Sequence, residues 1–246
     1  MPEVLILGGT GEARALAARL ADDGVDVISS LAGRVRNPRL PVGDVRIGGF
    51  GGREGLADYL RENGVGTLVD ATHPFAARIT PNAVDACDDA DVPYLRLARP
   101  AWEPGPRDRW TRVPDIAAAA RAVADRGGRV FLTTGRQDVS AFAGVDNAWF
   151  LIRVVDEPDT ALPPHHLVLR SRGPYTLANE RALIDEHRLD LIVTKNSGGS
   201  LTSAKLHVAA ERGIEVIVVD RPPEPAGTLS VSTVEEAMER VRGLLG

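Results

Sequence analysis

The fold is decided by residues 4–13, which read Val4-Leu5-Ile6-Leu7-Gly8-Gly9-Thr10-Gly11-Glu12-Ala13. Four apolar residues predict a buried strand, the glycines predict a tight turn, and an apolar stripe from Ala13 to Leu20 predicts an amphipathic helix. Such a turn is typical of dinucleotide-binding proteins, because glycines let the backbone approach a pyrophosphate at a helix N-terminus. Arg14 stands where the fingerprint has a third glycine, so these residues alone also allow a purely structural turn.

Short apolar runs alternate with helical patterns along the rest of the chain. Because these runs are continuous rather than alternating, they predict sheets that are covered on both faces. We predict an α/β fold of two Rossmann-like domains with mostly parallel sheets and an interdomain cleft. The predicted strands are Val4–Leu7, Val25–Ile28, Val45–Ile47, Thr67–Val69, Tyr94–Leu97, Arg129–Thr133, Trp149–Val155, His166–Arg170, Leu191–Thr194 and Ile214–Val219.

Residues 99–114 interrupt this alternation with several prolines, and they contain Trp102 and Trp110. Two large aromatic side chains predict an ordered connection between domains rather than a free linker. We therefore predict a first domain over residues 1–98, the connection over 99–114 and a second domain over 115–246.

The composition excludes several classes of protein. With 246 residues, 43% of them hydrophobic, the chain can bury a core, so wholesale disorder is excluded. The net charge of -5 gives no support for binding to nucleic acid or to an anionic membrane. A single cysteine, Cys87, excludes a disulfide framework. No apolar run approaches the ~20 residues of a membrane span, and we expect a cytoplasmic protein.

Polar or glycine-rich clusters directly follow six of the predicted strands. In open parallel sheets, ligands bind outside the carboxyl ends of the strands. These clusters therefore predict one large site served by both domains. They are residues 8–12, 29–34, 70–75, 133–137, 171–175 and 194–199.

The end of the second strand bears on the choice of cofactor. A site that prefers NADH needs a carboxylate there for the ribose 2′-hydroxyl. Ser29 and Ser30 occupy this place, no acid follows before Asp44, and Arg34 is near. This pattern favours a 2′-phosphate and hence NADPH, unless Arg34 belongs to a solvated loop.

The remaining clusters each allow a functional and a structural role. His73 precedes a proline in an extended turn and is either a ligand group or a hydrogen-bonded support of its loop. The glycine-rich turn after Lys195 predicts an anion site, and Gly135-Arg136-Gln137 follows the same logic with a guanidinium. The alternative for both is a tight turn that carries a solvated base.

Two other kinds of site find little support. His165 and His166 have no third ligand at metal spacing, so we predict no metal. No Gly-x-Ser-x-Gly turn follows a strand, which argues against a Ser-His-Asp hydrolase.

Four strings, taken in chain order, resemble the signatures of the precorrin-6A reductase family. The resemblance runs over essentially the whole chain, and the strings at residues 70–76 (DATHPFA) and 195–199 (KNSGG) are its most specific parts. The other two strings are residues 8–13 and 134–136.

The resemblance implies an NADPH-dependent reduction of precorrin-6A to precorrin-6B in cobalamin biosynthesis, with hydride transfer to C19 of the macrocycle and a proton gained at C18. The substrate is then a tetrapyrrole with many carboxylates, which arginines suit as a receptor. Neighbouring enzymes of the cobalamin pathway are expected partners for substrate hand-over.

The residue patterns and the resemblance together lead to a hypothesis about the role of each cluster. The residues expected to bind the cofactor are Gly8, Gly9, Thr10, Gly11, Glu12, Ser29, Ser30, Arg34, Thr72, His73 and Pro74. The residues expected to bind the substrate are Gly135, Arg136, Gln137, Arg172, Lys195, Asn196, Ser197, Gly198 and Gly199. The candidate proton donors at C18 are His73, Tyr175 and Lys195, with water as an equal alternative.

Two alternative functions remain open at this level. The same motifs would serve reduction of the cobalt-containing precorrin of the anaerobic branch. A non-catalytic NADP(H)-sensing module would use the first domain but would not need the anion turns of the second. The oligomeric state is left open.

Overall fold

The computed structural model describes residues 3–33 and 39–245 and divides the chain into two compact units. The first unit comprises Met1–Pro100 together with Pro222–Gly246, and the second comprises Ala101–Arg221. Each unit contains a six-stranded sheet, and the strand pairs between described residues are all parallel. The predicted α/β class with two Rossmann-like domains is confirmed, whereas the predicted cleft stays a prediction.

The elements follow one another in the alternating order expected of such a fold. The strands are β1 (Val4–Leu7), β2 (Val27–Leu31), β3 (Asp44–Ile47), β4 (Thr67–Asp70), β5 (Tyr94–Leu97), β6 (Arg109–Val113), β7 (Gly128–Leu132), β8 (Ala148–Val154), β9 (His166–Arg170), β10 (Leu191–Lys195), β11 (Glu215–Val219) and β12 (Ser230–Val231). The α-helices are α1 (Gly11–Asp22), α2 (Arg53–Glu62), α3 (Ile79–Ala90), α4 (Ile116–Arg126), α5 (Leu177–Glu186), α6 (Ala204–Arg212) and α7 (Val234–Leu245).

The two sheets have equivalent strand orders. The first runs β3-β2-β1-β4-β5-β12, and the second runs β9-β8-β7-β10-β11-β6. Both are the doubly wound order in which the direction of winding reverses beside the first strand. The reversal falls between β1 and β4 in the first unit and between β7 and β10 in the second. Loops on the carboxyl side of these four strands therefore occupy the usual ligand position of each unit.

The edge strands β6 and β12 correct the predicted domain boundaries. The segment predicted as a connection contains β6, which pairs with β11 in the second sheet. The end of the chain, predicted in the second domain, returns to the first sheet, where β12 pairs with β5. Neither strand has the continuous apolar run that marks a central strand, because an edge position buries less of its surface.

The first sheet is apolar on both faces because helices cover each of them. Val4 and Ile6 of β1 pack with apolar residues of α1 and α7. Leu5 and Leu7 point to the opposite face and pack with α2 and α3. Cys87 of α3 is buried in this second cluster as a small apolar residue, and burial raises the pKa of its thiol to about 12.

The second sheet carries α5 and α6 on one face. Phe131 of β7 and Ile192 of β10 pack there against Ile184 of α5 and Leu206 of α6. Helix α4 contacts β6 and β11 and buries Ala119, Ala120 and Val123. Among the described helices, none combines the length and apolarity needed to cross a bilayer.

Candidate functional site

The glycine turn between β1 and α1 is held to both neighbouring strands. The Gly8 N–H donates to the Ser30 carbonyl on β2 at 2.9 Å. The Thr10 hydroxyl donates to the carbonyl of Ala71, just after β4, at 2.8 Å, and accepts the Ala13 N–H at 3.1 Å as the N-cap of α1. Gly9 adopts a φ of +112°, which favours glycine. The turn is therefore a fixed backbone frame at the helix N-terminus.

The helix position that packs against this turn is Ala13, not Arg14. A Cβ added to Gly8 would lie 3.6 Å from the Ala13 Cβ. Ala13 is buried, whereas Arg14 is only partly so. The arginine at the third glycine position thus lies off the closely packed side of the helix, which explains why the turn tolerates it.

Asp70, at the end of β4, organises the loop that follows. Its side chain is fully buried and forms an ion pair with Arg96 of β5, with Nη1 2.9 Å from Oδ1. Arg96 also donates from Nη2 to the Thr72 carbonyl at 3.2 Å. The other donors to the Asp70 carboxylate are the Thr72 N–H, the Thr72 hydroxyl, the Thr80 hydroxyl and the Tyr94 hydroxyl.

This ion pair was not predicted from the sequence. The available signal was an arginine between two leucines in the apolar strand β5. Burial and the neighbouring Asp70 carboxylate raise the pKa of the Tyr94 hydroxyl, so Tyr94 remains a donor. The loop after β4 is therefore fixed from beneath by buried polar contacts.

His73 lies on this loop and helps to shape it. Its Nδ1 accepts the Phe75 N–H at 3.2 Å, and the two rings lie 5.9 Å apart. Because Nδ1 is an acceptor, the ring proton is assigned to Nε2. His73 thus supports the loop through one nitrogen and carries a proton on the other.

The loops after β1, β4 and β5 meet in one depression at the switch point of the first sheet. Four predicted cofactor residues line it together with neighbours from β4 and β5. Glu12 forms an ion pair with Arg99 there, with Oε2 2.9 Å from Nη1. The lining residues are Thr10, Glu12, Ala71, Thr72, Pro74, Leu97, Ala98 and Arg99.

The carboxyl end of β2 adds a cation that the sequence did not single out. Ser29 and Ser30 are both buried, and the strand register places Arg46 of β3 beside Ser30. Arg46 Nη1 lies 3.5 Å from the Ser30 hydroxyl. Arg34, the predicted cation of this site, lies outside the described residues.

In the second unit, an ion pair joins the loops after β7 and β10. Lys195 Nζ lies 2.5 Å from Asp138 Oδ2. Asp138 in turn donates its N–H to the Gly135 carbonyl at 3.2 Å. The predicted substrate clusters around Gly135 and Lys195 thus lie together at the switch point of the second sheet.

The turn after Lys195 contains two glycines in the left-handed conformation, and the neighbouring Asn196 has a structural role. Gly198 and Gly199 both have positive φ, at 69° and 74°. The buried Asn196 side chain accepts the Trp102 N–H at 2.8 Å and donates to the Trp102 carbonyl at 3.1 Å. Trp102 Nε1 also donates to the Gly199 carbonyl at 2.8 Å. Trp102 therefore holds this turn, a role that the sequence reasoning missed.

The loop after β9 reaches back to the loop after β10, although β9 lies at the sheet edge. The Tyr175 N–H donates to the Leu201 carbonyl at 3.3 Å, and its hydroxyl donates to the Ser171 carbonyl at 3.1 Å. The Tyr175 ring stacks on the Arg153 guanidinium at 3.7 Å. Arg172, on the same loop, is exposed.

Two buried basic residues lie beneath these loops. Arg153 forms an ion pair with Glu180 at 2.5 Å, with both side chains almost completely buried. Lys205 Nζ donates to the Thr202 carbonyl at 2.7 Å and lies 4.9 Å from the centre of the Trp102 ring. Burial, together with the nearby Arg153 charge, lowers the pKa of Lys205 to about 7.

The described parts of the chain contain no grouping of three or more His, Cys, Asp or Glu side chains that could hold a metal ion.

The fold and these loops define a Rossmann-like α/β protein in which each sheet presents a polar loop cluster at its switch point. The family model described as precorrin-6x reductase CbiJ/CobK matches residues 3–242. The chain belongs to this family of reductases, which confirms the family predicted from its motifs.

Individual relatives agree with this assignment. A precorrin-6A reductase of Rhodococcus erythropolis is 56% identical over 239 residues, which cover 97% of this chain and 96% of the relative. A solved structure of the CobK precorrin-6A reductase is 41% identical, with a TM-score of 0.93 and coverage of 99% and 97%. A cobalt-precorrin-6A reductase of Priestia megaterium is 31% identical over an alignment that covers 96% of this chain and 96% of the relative.

Proposed function

We propose that this chain reduces precorrin-6A to precorrin-6B with NADPH, as a step of cobalamin biosynthesis. One observation carries the proposal. This chain belongs to a reductase family, and it has a glycine turn at the switch point of its first sheet, where Thr10 caps helix α1. Binding of a dinucleotide at such a turn uses the backbone N–H groups and the dipole of the helix N-terminus.

The local geometry fits a pyrophosphate. A Cβ at Gly9 would meet no atom within 4 Å, so the space above the turn is open, and the positive φ of Gly9 sets the direction of the backbone. The first unit would hold the dinucleotide through residues 8–12, Ser29, Ser30 and the loop 72–74. When bound, the reduced nicotinamide supplies the hydride that C19 of the macrocycle accepts.

The second unit would bind the macrocycle by its carboxylates. The turn at residues 197–199 would offer the backbone N–H groups of Gly198 and Gly199, since Ser197 already donates its N–H to the Lys195 carbonyl, and Arg136 would offer a two-pronged donor face. Asp138 already balances the charge of Lys195, so a substrate carboxylate there would compete with Asp138. Gly135, Gln137, Arg172 and Asn196 complete the proposed substrate set.

Three side chains remain candidate proton donors at C18. His73 carries its ring proton on Nε2, Tyr175 has a hydroxyl bonded to the Ser171 carbonyl, and Lys195 has an ammonium paired with Asp138. Water remains an equal alternative.

The metal-free macrocycle is the better-supported substrate. A relative named for precorrin-6A is 56% identical to this chain, whereas one named for cobalt-precorrin-6A is 31% identical. Membership of a reductase family gives no support to a non-catalytic sensing role. A cytoplasmic location and substrate hand-over to neighbouring pathway enzymes stay predictions.

The test is NADPH oxidation by the purified chain with precorrin-6A, run beside NADH and beside cobalt-precorrin-6A. We expect oxidation that depends on precorrin-6A, fastest with NADPH. No substrate-dependent oxidation with either nucleotide would exclude the reduction. Equal rates with NADH would exclude only the NADPH preference. A faster reaction with the cobalt form would show that cobalt-precorrin-6A is the preferred substrate.

A further inference from the structure

We propose that Arg46 recognises the 2′-phosphate of NADPH and so determines the preference for this cofactor. The inference rests on the proposed function, which requires a dinucleotide at the turn after β1. It assigns the discriminating contact to β3, whereas the sequence pointed to Arg34, in the segment after β2.

The strand register puts Arg46 at the required position. In doubly wound sheets, the ribose 2′ group lies at the carboxyl end of the second strand. Ser30 occupies that end of β2 and is aligned with Arg46 of β3. The same Ser30 accepts the Gly8 N–H through its carbonyl, so Arg46, Ser30 and the glycine turn form one continuous edge.

The guanidinium of Arg46 is already held in place. Nη1 donates to the Gly48 carbonyl at 2.8 Å, and Nη2 donates to the Gly49 carbonyl at 2.7 Å. Its Cζ lies 3.8 Å from the centre of the Phe50 ring. These contacts reduce the entropy that the side chain would lose when an anion binds.

The positive charge of Arg46 is not neutralised locally. In the described part of the chain its partners are two backbone carbonyls, the Ser30 hydroxyl and the rings of Phe50 and Tyr59, and none is a carboxylate. Arg46 is only partly buried, so an anion can reach it. Residues 29–33 contain no acidic side chain to bind a ribose 2′-hydroxyl. This combination suits a phosphate monoester and not a free hydroxyl.

The experiment compares the binding of NADP⁺ and NAD⁺ by titration calorimetry, which needs neither substrate nor turnover. For Arg46→Gln we expect a roughly 10- to 100-fold weaker affinity for NADP⁺, since a charge-assisted phosphate contact is lost. The affinity for NAD⁺ should change little. Arg53→Gln is the matched control, because this nearby arginine already pairs with Asp89, and both affinities should persist.

The outcomes separate this inference from the proposed function. If the parent chain binds neither nucleotide, or binds both equally, the NADPH assignment itself is wrong. If the parent chain prefers NADP⁺ and Arg46→Gln keeps that preference while Arg34→Gln loses it, the assignment to Arg46 is overturned. An equal loss of both affinities in Arg46→Gln would also overturn it, since that would indicate a general role in the turn. Should Arg46→Gln not fold, Arg46→Lys must reduce the ratio of the two affinities, because it keeps the charge but loses the paired donors.

Discussion

At the residue scale, two buried ion pairs lie beneath the loops of the candidate site. The Asp70–Arg96 pair supports the loop after β4, and the Arg153–Glu180 pair supports the loop after β9. Removing one partner of such a pair costs more than the pair contributes, because the remaining charge stays buried. These pairs are therefore best regarded as determinants of loop conformation rather than as sources of net stability.

Lys205 provides a pH-dependent prediction. Its pKa is about 7 in the folded chain and about 10.5 when unfolded, so between these values the unfolded chain binds more protons. The free energy of unfolding should therefore rise with pH relative to Lys205→Met, by up to about 1.4 kcal/mol per pH unit between pH 7 and 10. Denaturant unfolding of both proteins across this range measures the difference.

Other titrating groups contribute equally to the pH dependence of the two free energies of unfolding, because both proteins contain them. Arg153 and Glu180, the charged neighbours of Lys205, are present in both proteins. A constant difference between the two proteins from pH 7 to 10 would show that Lys205 titrates as an ordinary exposed lysine.

At the element scale, the N-terminus of α1 contributes both to the stability of the fold and to the proposed binding of the dinucleotide. Thr10→Ala removes both the cap bond to Ala13 and the bond to Ala71. We expect a loss of about 1–2 kcal/mol in the free energy of unfolding, with weaker binding of NADP⁺. Denaturant unfolding and titration calorimetry measure the two effects.

Thr176 is a matched control for this prediction. It caps α5 by accepting the Asn179 N–H at 3.2 Å, on the second unit. Thr176→Ala should cost about 1 kcal/mol of stability and leave NADP⁺ binding unchanged. If both variants bind NADP⁺ like the parent chain, the bonds of the Thr10 hydroxyl do not contribute to dinucleotide binding.

At the scale of the whole molecule, the two sheets are completed by strands from unexpected parts of the sequence. The strand that follows the first five, β6, joins the second sheet, and the last strand, β12, returns to the first. Helix α7 returns with it and buries Ala237, Met238 and Val241 in the first core. The first unit is therefore discontinuous in sequence.

This connectivity predicts how fragments behave. Residues 101–221 contain a complete sheet and should unfold cooperatively on their own. Residues 1–100 lack β12 and α7 and should not fold cooperatively, whereas joining residues 222–246 to them through a flexible linker should restore folding. Circular dichroism during thermal unfolding distinguishes the two separate segments from the linked form.

The contrary result is also well defined. Cooperative unfolding of residues 1–100 with the stability of the linked form would show that the returning segment is dispensable. The first domain would then fold independently within about the boundaries predicted from the sequence, residues 1–98.

The sequence by itself determined the alternating α/β class, the glycine turn and the motifs that identify the family. These features are local, because a strand covered on both faces must be apolar throughout and a turn at a helix N-terminus needs particular residues. The central strands were predicted to within a few residues for the same reason. The Thr10 cap of α1 is local in the same way, since its hydroxyl accepts the N–H of Ala13 three residues further along the chain.

Only the tertiary structure decided which strands pair at the sheet edges and which side chains meet there. Backbone hydrogen bonds between parallel strands are alike whatever the sequence, so the pairing of β6 with β11 and of β12 with β5 leaves little local trace. The contact of Arg46 with Ser30 depends on the pairing of β3 with β2, and the ion pair of Asp70 with Arg96 depends on the pairing of β5 with β4. These contacts join residues that are far apart in sequence and become neighbours only in the folded sheet, so local sequence patterns do not reveal them.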